Sequence, residues 1–231
     1  MIKFGTYATL LSILIMSAVT IWAGTQLPET GQFPVHWNAA GEANGFSNRD
    51  GFITMLWGLT ALNAAVGLLF AGLPHISPLR QNLMKSSKAY IASWIGMLVI
   101  MTFVLLLVVY IVVKSSASID NKLNVLTITK PINFIVGAFI AILGNYLPKT
   151  RRNWFIGIRT PWTLSSNEAW EKTHRLAGTL FVISGILMII SALVLPLNWT
   201  IAILISAVSI SSIIPIIASF YFWKTATDKQ N

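Results

Sequence analysis

The chain has 231 residues, of which 55% are apolar and only 10% are charged. Soluble domains carry about 25% charged residues, so this composition excludes that class. The chain has no cysteine, which removes disulfides and thiolate catalysis from consideration. The net charge of +9 would suit nucleic-acid binding, but the charges lie at the ends of apolar runs. Membrane topology explains that placement, and we expect no direct contact with nucleic acid.

Six apolar runs are long enough to cross a bilayer, which takes roughly 20 helical residues. They are Phe4–Leu27, Phe52–Leu73, Ala89–Val113, Val125–Leu147, Leu176–Leu197 and Thr200–Trp223. The first run lacks a clear cleavage site, which favours a retained signal anchor. The fourth run is the most polar, and Pro131 suits the first turn of its helix. The predicted fold class is all-α, a polytopic integral membrane protein with six transmembrane helices.

The basic residues predict the orientation of the chain. With the N-terminus inside, the cytoplasmic segments carry twelve Lys and Arg and the outer segments carry four. Because cytoplasmic loops are enriched in these residues, both termini are predicted to be cytoplasmic. Six of the twelve lie in Pro148–Arg175, called the inner segment below. If the fourth run did not cross, this basic segment would face outward, against the charge bias.

The predicted organisation is a single transmembrane domain over residues 1–231. It has an N-terminal two-helix unit, 1–75, whose outer loop spans 28–51, and a second unit, 123–223, that contains the inner segment 148–175. In the outer loop, Asn44-Gly45 and Asp50-Gly51 are turn signals.

The inner segment has its own local signals. Ser165 and Glu168 have capping-box spacing, which predicts a helix that begins near Ser166. On that helix Trp170 and His174 share a face, and Glu171 and Arg175 are spaced for an ion pair. Trp154, Trp162 and Trp170 suit the headgroup layer of a membrane.

The three histidines do not predict a metal site. His36 lies outside, whereas His75 and His174 lie inside, and no HExxH or comparable spacing occurs. We therefore expect no metal and no cofactor. His36 is interpreted as a hydrogen-bonding residue of the outer loop. A pH-sensing role stays open, because the ordinary pKa of histidine is about 6.5.

Transport and enzymatic functions are less favoured by the sequence. Ion-coupled carriers place charged residues within their spans, and here only Lys130, at one end, qualifies. Asn63, Asn133 and Asn145 are expected to bond between helices instead.

The basic inner segment could hold a lipid phosphate while His174 acts as nucleophile or acid. The Lys-to-Arg-Pro spacing and the Pro-Ser-Gly-His element of lipid phosphatases are absent. Basic residues beside a span bind anionic headgroups in any case, so membrane lipids are expected partners. We favour a non-enzymatic protein. The alternative is a membrane enzyme or binding factor that acts on an anionic envelope lipid through the inner segment.

Two motifs contain more Gly, Pro and Trp residues than a simple connecting loop requires. The outer loop contains Pro34-Val35-His36-Trp37-Asn38, Gly41-Glu42 and Gly45. The inner region contains Gly144-Asn145, Pro148-Lys149, Asn153, Gly157-Ile158-Arg159-Thr160-Pro161-Trp162-Thr163-Leu164, Trp170 and Thr173-His174-Arg175. The first motif resembles a domain of unknown function found at the front of many Gram-positive membrane proteins. The second resembles the signature of the SdpI family, immunity proteins against a sporulation-delaying peptide toxin, and makes 123–223 the SdpI-like unit.

The resemblance implies a multi-pass protein of the bacterial plasma membrane that protects its host from a secreted, membrane-active peptide toxin. It also implies a small cytoplasmic repressor of the winged-helix type as a partner. From the topology, we hypothesise that the peptide meets the outer loop at Pro34, His36, Trp37, Asn38, Gly41 and Gly45. The inner region would transmit the signal or hold the repressor through Asn145, Pro148, Lys149, Asn153, Gly157, Arg159, Thr160, Pro161, Trp162, Trp170, His174 and Arg175.

Overall fold

A computed structural model describes residues 1–37, 43–116 and 126–229. Within these ranges, six helices are long and apolar enough to cross a membrane, which confirms the all-α polytopic fold. They are α1 (Ile2–Gln26), α2 (Arg49–Ile76), α4 (Ser87–Ser116), α5 (Leu126–Tyr146), α7 (Asn167–Val194) and α8 (Leu197–Thr225). Two short helices, α3 (Arg80–Lys85) and α6 (Pro161–Ser165), and a 3-10 turn (Leu147–Lys149) lie in the connections.

Except for α5, the long helices begin before the apolar runs that predict them. α5 already begins at Leu126, so Pro131 lies inside the helix and its predicted place in the first turn is wrong. A proline inside a helix removes one backbone hydrogen bond. Membrane helices tolerate that loss where neighbouring groups bond the freed carbonyl.

The six long helices form two groups of three. α1 packs against α2 and α4, while α7 packs against α5 and α8, and α4 and α5 join the two groups. In the first group Asn63 Nδ2 donates to Ser12 Oγ over 2.8 Å. In the second, Asn133 Nδ2 donates to Ser191 Oγ over 3.0 Å. Both asparagines thus bond between helices, as the sequence predicts.

The α5 and α7 helices pack closely against each other through glycines. A Cβ placed on Gly185 would lie 2.4 Å from the carbonyl oxygen of Gly137, and one on Gly178 would lie 2.7 Å from that of Gly144. Only glycine allows backbones to approach this closely, which is how small residues favour helix association in membranes. This glycine seam holds α5, which leads into the inner segment, against α7.

The outer loop contains a β-hairpin. Strand β1 (Phe33–Trp37) pairs antiparallel with β2 (Ala43–Ser47), and Gly45 lies opposite His36. The predicted turns at Asn44-Gly45 and Asp50-Gly51 are therefore wrong: the first pair lies in β2 and the second in the opening turn of α2. Phe33 contacts Phe52 with ring centroids 6.1 Å apart, which attaches the hairpin to α2.

Several contacts gather the other loops at the opposite end of the bundle. Asn82, beside the α2–α4 connection, donates to the Arg152 carbonyl over 2.9 Å. Met1 lines a cavity together with Tyr146 and Lys149. Asp228 of the C-terminal tail contacts Ser166. The inner segment, the α2–α4 connection and both termini therefore share one end, where twelve of the sixteen basic residues lie.

Candidate functional site

The outer motif is divided between the two hairpin strands. Pro34 is buried, Trp37 is half-buried and His36 is exposed. The Nδ1 of His36 lies 2.6 Å from Asn44 Oδ1, so this nitrogen carries the proton and donates. A Cβ on Gly45 would lie 2.9 Å from the Cβ of His36, so the pairing requires a small residue there. Asn38 and Gly41 of the predicted set lie outside the described residues.

The side chain of Asn153 organises the first half of the inner segment. It is fully buried. Its Nδ2 donates to the carbonyls of Arg151 and Ile156 over 2.8 and 3.1 Å. Its Oδ1 accepts from the backbone N–H groups of Phe155 and Ile156 over 2.9 and 2.8 Å. All four bonding positions of the amide are thus used to close one turn of backbone.

Trp170 ties this turn to α7. Its indole Nε1 donates to both the carbonyl and the hydroxyl of Thr150, each over 3.2 Å. The ring is 1% exposed. The expectation that Trp170 lies in the headgroup layer is therefore wrong, because its polar atom finds its partner inside the protein. Its ring stacks on His174 at 4.0 Å, which confirms that the two residues share a face.

His174 is a structural residue in this geometry. It is fully buried. Its Nε2 accepts from the Ile158 N–H over 2.9 Å, and its Nδ1 lies 2.8 Å from the Trp170 carbonyl. A carbonyl only accepts, so Nδ1 carries the proton and Nε2 supplies its lone pair. Both nitrogens of a neutral imidazole are thus engaged by the backbone, and neither is available to attack a phosphate.

Gly157 allows the inner segment to reach His174. Its φ is +112°, and a Cβ there would lie 2.2 Å from the Nε2 of His174. Side-chain-bearing residues rarely adopt this backbone conformation. Glycine is therefore required at position 157 of the Gly-Ile-Arg-Thr motif for two reasons: the backbone conformation and the close approach of the segment to His174.

The next turn is stabilised by two threonines. Thr160 is the N-cap of α6, and its Oγ1 accepts from the Thr163 N–H over 3.2 Å. Thr163 Oγ1 in turn accepts from the Thr160 N–H over 3.0 Å and donates to the Ile158 carbonyl over 2.7 Å. Pro161 occupies the first helical position, where its missing N–H costs nothing. Trp162 packs edge-to-face on Phe220 of α8, with centroids 5.3 Å apart.

Arg159 lies at the edge of a cleft of about 540 Å³. The cleft is lined by residues of the inner segment, α7 and α8, including Trp154, Phe181, Ser212 and Ile216. Arg159 is exposed, and its Nη1 donates to the Trp154 carbonyl over 2.8 Å. This bond holds one edge of the guanidinium in place, and its remaining N–H donors lie near solvent.

Other basic side chains of the inner segment also contact the protein. Arg151 Nη1 pairs with Glu171 Oε1 at 3.0 Å, whereas the sequence paired Glu171 with Arg175. Glu171 thus pairs with an arginine that precedes α7 in the chain and not with Arg175 on the same helix. Arg152 Nη1 donates to the Leu164 carbonyl over 3.1 Å.

The α7 helix begins with a different cap from the predicted one. Its N-cap is Ser166, whose Oγ accepts from the Ala169 N–H over 3.0 Å, so the proposed capping box of Ser165 and Glu168 is wrong. Glu168 instead pairs with Lys172 at 2.7 Å and accepts from the Thr227 N–H over 3.0 Å.

The C-terminal tail supplies a second cap. Asp228 accepts from the Ser166 hydroxyl and from the backbone N–H groups of Asn167 and Glu168, the latter over 2.8 and 3.3 Å. The Ser166 hydroxyl, followed by these two N–H groups, lowers the pKa of the Asp228 carboxyl below its ordinary value. A negative charge at a helix N-terminus is favourable, so the tail is held against α7.

The remaining predicted residues of the inner set are exposed. Asn145 lies in the last turn of α5, Pro148 and Lys149 lie in the 3-10 turn, and Arg175 lies on α7. Lys149 Nζ lies 3.5 Å from Asn145 Oδ1 and 5.5 Å from the Tyr146 ring centre. Among the described residues, no three His, Asp or Glu side chains gather into a possible metal site.

Several structural roles in the inner segment were missed from the sequence. The Thr160-Pro161-Trp162-Thr163 pattern carries a helix-start signal that could have identified the cap. Asn82, Ser86 and Asp228 gave no comparable signal, because they act on residues far away in sequence. For example, Ser86 Oγ accepts from the Arg151 N–H over 2.9 Å, across 65 positions.

Comparison with known proteins finds similarity over parts of the chain. The chain matches the SdpI/YfhL protein family over residues 149–219 and the domain of unknown function DUF1648 over residues 11–63. It is 32% identical over 89 residues to the immunity protein SdpI of Bacillus subtilis (strain 168), a match that covers 38% of this chain and 42% of that relative. The match thus spans less than half the relative's length. No solved structure matches the chain. The chain is thus similar to the SdpI family over its inner segment, α7 and most of α8.

Proposed function

We propose, from the similarity to SdpI, that this multi-pass membrane protein protects a bacterium against a secreted, membrane-active peptide toxin and passes the signal to the cytoplasm. An immunity-protein-like membrane function is supported by the similarity to SdpI. The proposal adds three features to that function: protection from a toxin, a cytoplasmic location for both termini, and a repressor partner.

The observation that carries this proposal is the way the inner segment is built. Asn153 and His174, its two most deeply engaged polar side chains, use their hydrogen-bonding groups on the backbone of the segment itself. Such an arrangement fixes a surface and leaves neither ring nitrogen of His174 free for acid–base chemistry. It favours a non-enzymatic binding role.

The proposal assigns different tasks to the two ends. The outer hairpin presents exposed His36 and Phe46, the latter with 56% of its surface accessible, as contacts for an amphiphilic peptide. At the other end Arg159, Arg175 and half-buried Trp162 would contact a small winged-helix repressor. Trp170 and His174 are buried, so they would shape that surface without touching the partner.

Survival of a toxin-sensitive cell that expresses the chain tests the proposal directly. We expect protection from the sporulation-delaying peptide, lost when His36 and Phe46 are both replaced by Ala. Correct insertion with no protection by the natural chain would refute immunity toward that toxin.

Signalling is tested separately with Arg159→Lys, which keeps the charge but loses the planar guanidinium. We expect protection to persist while transcriptional output from a repressor-controlled reporter falls. If the reporter output is unchanged, Arg159 contributes only a positive charge that sets the membrane topology.

The enzymatic alternative gives the opposite expectation for His174. If the chain releases phosphate from an anionic envelope lipid with this residue as nucleophile, His174→Ala abolishes the activity. Both ring nitrogens of His174 are hydrogen-bonded to the backbone, which argues against that outcome. A phosphate-release rate that is measurable in the natural chain and absent in the variant would revive the alternative.

A further inference from the structure

The junction between the two groups of helices contains a groove to which the proposed function assigns no ligand. A cavity of about 890 Å³ lies between α4 and α5 at the end that holds the inner segment. A second cavity of about 210 Å³ follows the same two helices. Ala92, Ile95 and Ile142 line both cavities, so the two adjoin. We refer to them together as the seam groove.

The two parts of the seam groove differ in chemistry. Its mouth carries Lys88 and Lys149, with Asn145 and Tyr146 beside them, and none of its lining residues is acidic. Its deep part is entirely apolar, with residues such as Val99, Ile135 and Phe139. A basic mouth above an apolar channel is complementary to an amphiphile with an anionic head.

The length of the seam groove suits one leaflet of a bilayer. From Lys88 to Ile100 the α4 helix rises by about 18 Å at 1.5 Å per residue. Half of a hydrocarbon core is about 15 Å. The lysines therefore lie at headgroup level when the apolar end reaches the bilayer centre. Val99 and Ile142 are 46% and 51% exposed, so the groove opens sideways toward lipid.

Small residues keep the groove open. Ala92 and Gly96 line it from α4, and Ala138 lines it from α5. A Cβ on Gly96 would lie 2.1 Å from the ring of Phe139, which shows how closely that ring crosses α4. In contrast to the α5–α7 seam, where glycines bring backbones into contact, the two alanines leave a channel between the helices, and Gly96 gives room to the Phe139 ring.

We propose that the seam groove binds one anionic glycerophospholipid, with its phosphate between Lys88 and Lys149 and an acyl chain along α4 and α5. The two lysines select a net negative headgroup over a zwitterionic one. The lipid would occupy the junction between the group of α1, α2 and α4 and the group of α5, α7 and α8. Through α4 it would contact the group of helices beside the outer hairpin, and through α5 it would contact the group that flanks the inner segment.

Native mass spectrometry of the full chain tests this site after reconstitution in bilayers of phosphatidylglycerol and phosphatidylcholine. We expect one retained phosphatidylglycerol. Each lysine contributes about fivefold to affinity for anionic lipid, so the double variant Lys88→Gln/Lys149→Gln should lower retention about 25-fold. The matched control is Arg80→Gln/Lys85→Gln, which removes the same charge from α3 and should leave retention unchanged.

A steric variant tests the apolar part. Ala138→Phe keeps both lysines and fills the channel, so retention should fall while the thermal unfolding midpoint stays near that of the natural chain. If that variant does not fold, Ala92→Leu fills the adjoining part of the groove. Equal loss in the α3 control, equal retention of phosphatidylcholine, or full retention in a folded steric variant would each overturn the proposed site.

Discussion

The outer hairpin and the inner segment both connect membrane helices, but they are held in place differently. The hairpin rests on the Phe33–Phe52 contact and its strand pairing. The inner segment bonds to the α2–α4 connection, to α7 and to α8 as well as to itself. A mutation should therefore cost far more stability in the inner segment than in the hairpin.

The largest expected effect comes from Gly157→Ala. The new Cβ would lie 2.2 Å from His174 Nε2 at a φ of +112°. A non-glycine residue held in an unfavourable backbone region costs about 1–3 kcal/mol, and the clash adds to that cost. We expect at least about 3 kcal/mol of lost unfolding free energy, measured by denaturant titration in detergent.

Gly72→Ala is the matched control for this change. A Cβ there meets no atom within 4 Å. Because alanine favours helix more than glycine by about 1 kcal/mol, this variant should be neutral or slightly stabilised. Equal destabilisation of the two variants would contradict the assigned role of Gly157.

The second prediction compares two asparagines. Asn153→Ala leaves two N–H groups and two carbonyls without their partner inside the protein. Unsatisfied buried groups cost about 1–3 kcal/mol, so we expect a loss near the upper end of that range. Asn44→Ala removes only the exposed bond to His36 and should cost under about 1 kcal/mol. Comparable losses would show that the two ends are equally constrained.

Much of the fold could be predicted from the sequence, because apolar length alone identifies membrane helices. Charge counting and motif spacing then located the inner segment and its Gly157-to-Trp162 core. The roles of these residues were less predictable: Trp170 and His174 looked like interfacial or chemical groups and are buried supports. Their partners, Thr150 and Ile158, lie 20 and 16 positions away, and no local pattern encodes such contacts.

A third prediction separates function from stability in the hairpin. His36→Ala removes one exposed hydrogen bond, so the unfolding free energy should fall by less than about 1 kcal/mol. Under our proposal, toxin protection falls because an exposed contact is lost. His36→Asn restores a donor at this position and should recover part of the protection. A destabilisation comparable to that of Asn153→Ala would show that His36 supports the fold.

The smallest expected effect concerns the C-terminal tail, whose attachment to α7 depends on pH. Because the folded pKa of Asp228 is lowered, chiefly by the Ser166 hydroxyl, its charge stabilises the docked tail above the ordinary carboxyl pKa of about 3.9. That stabilisation is lost as the pH falls through the lowered pKa. Asp228→Asn should weaken docking by about 0.3–1 kcal/mol at neutral pH, the usual contribution of a charge at a helix N-terminus.

Hydrogen exchange at the amides of Asn167 and Glu168 measures this docking, since both donate to Asp228. Faster exchange is expected in Asp228→Asn at neutral pH, with the difference from the natural chain disappearing in acid. Lys229→Gln is the control, because Lys229 bonds to the Lys224 carbonyl within the same end of the chain. If both variants exchange alike, the tail is held by its backbone path, and the Asp228 charge does not contribute to the stability of the inner segment.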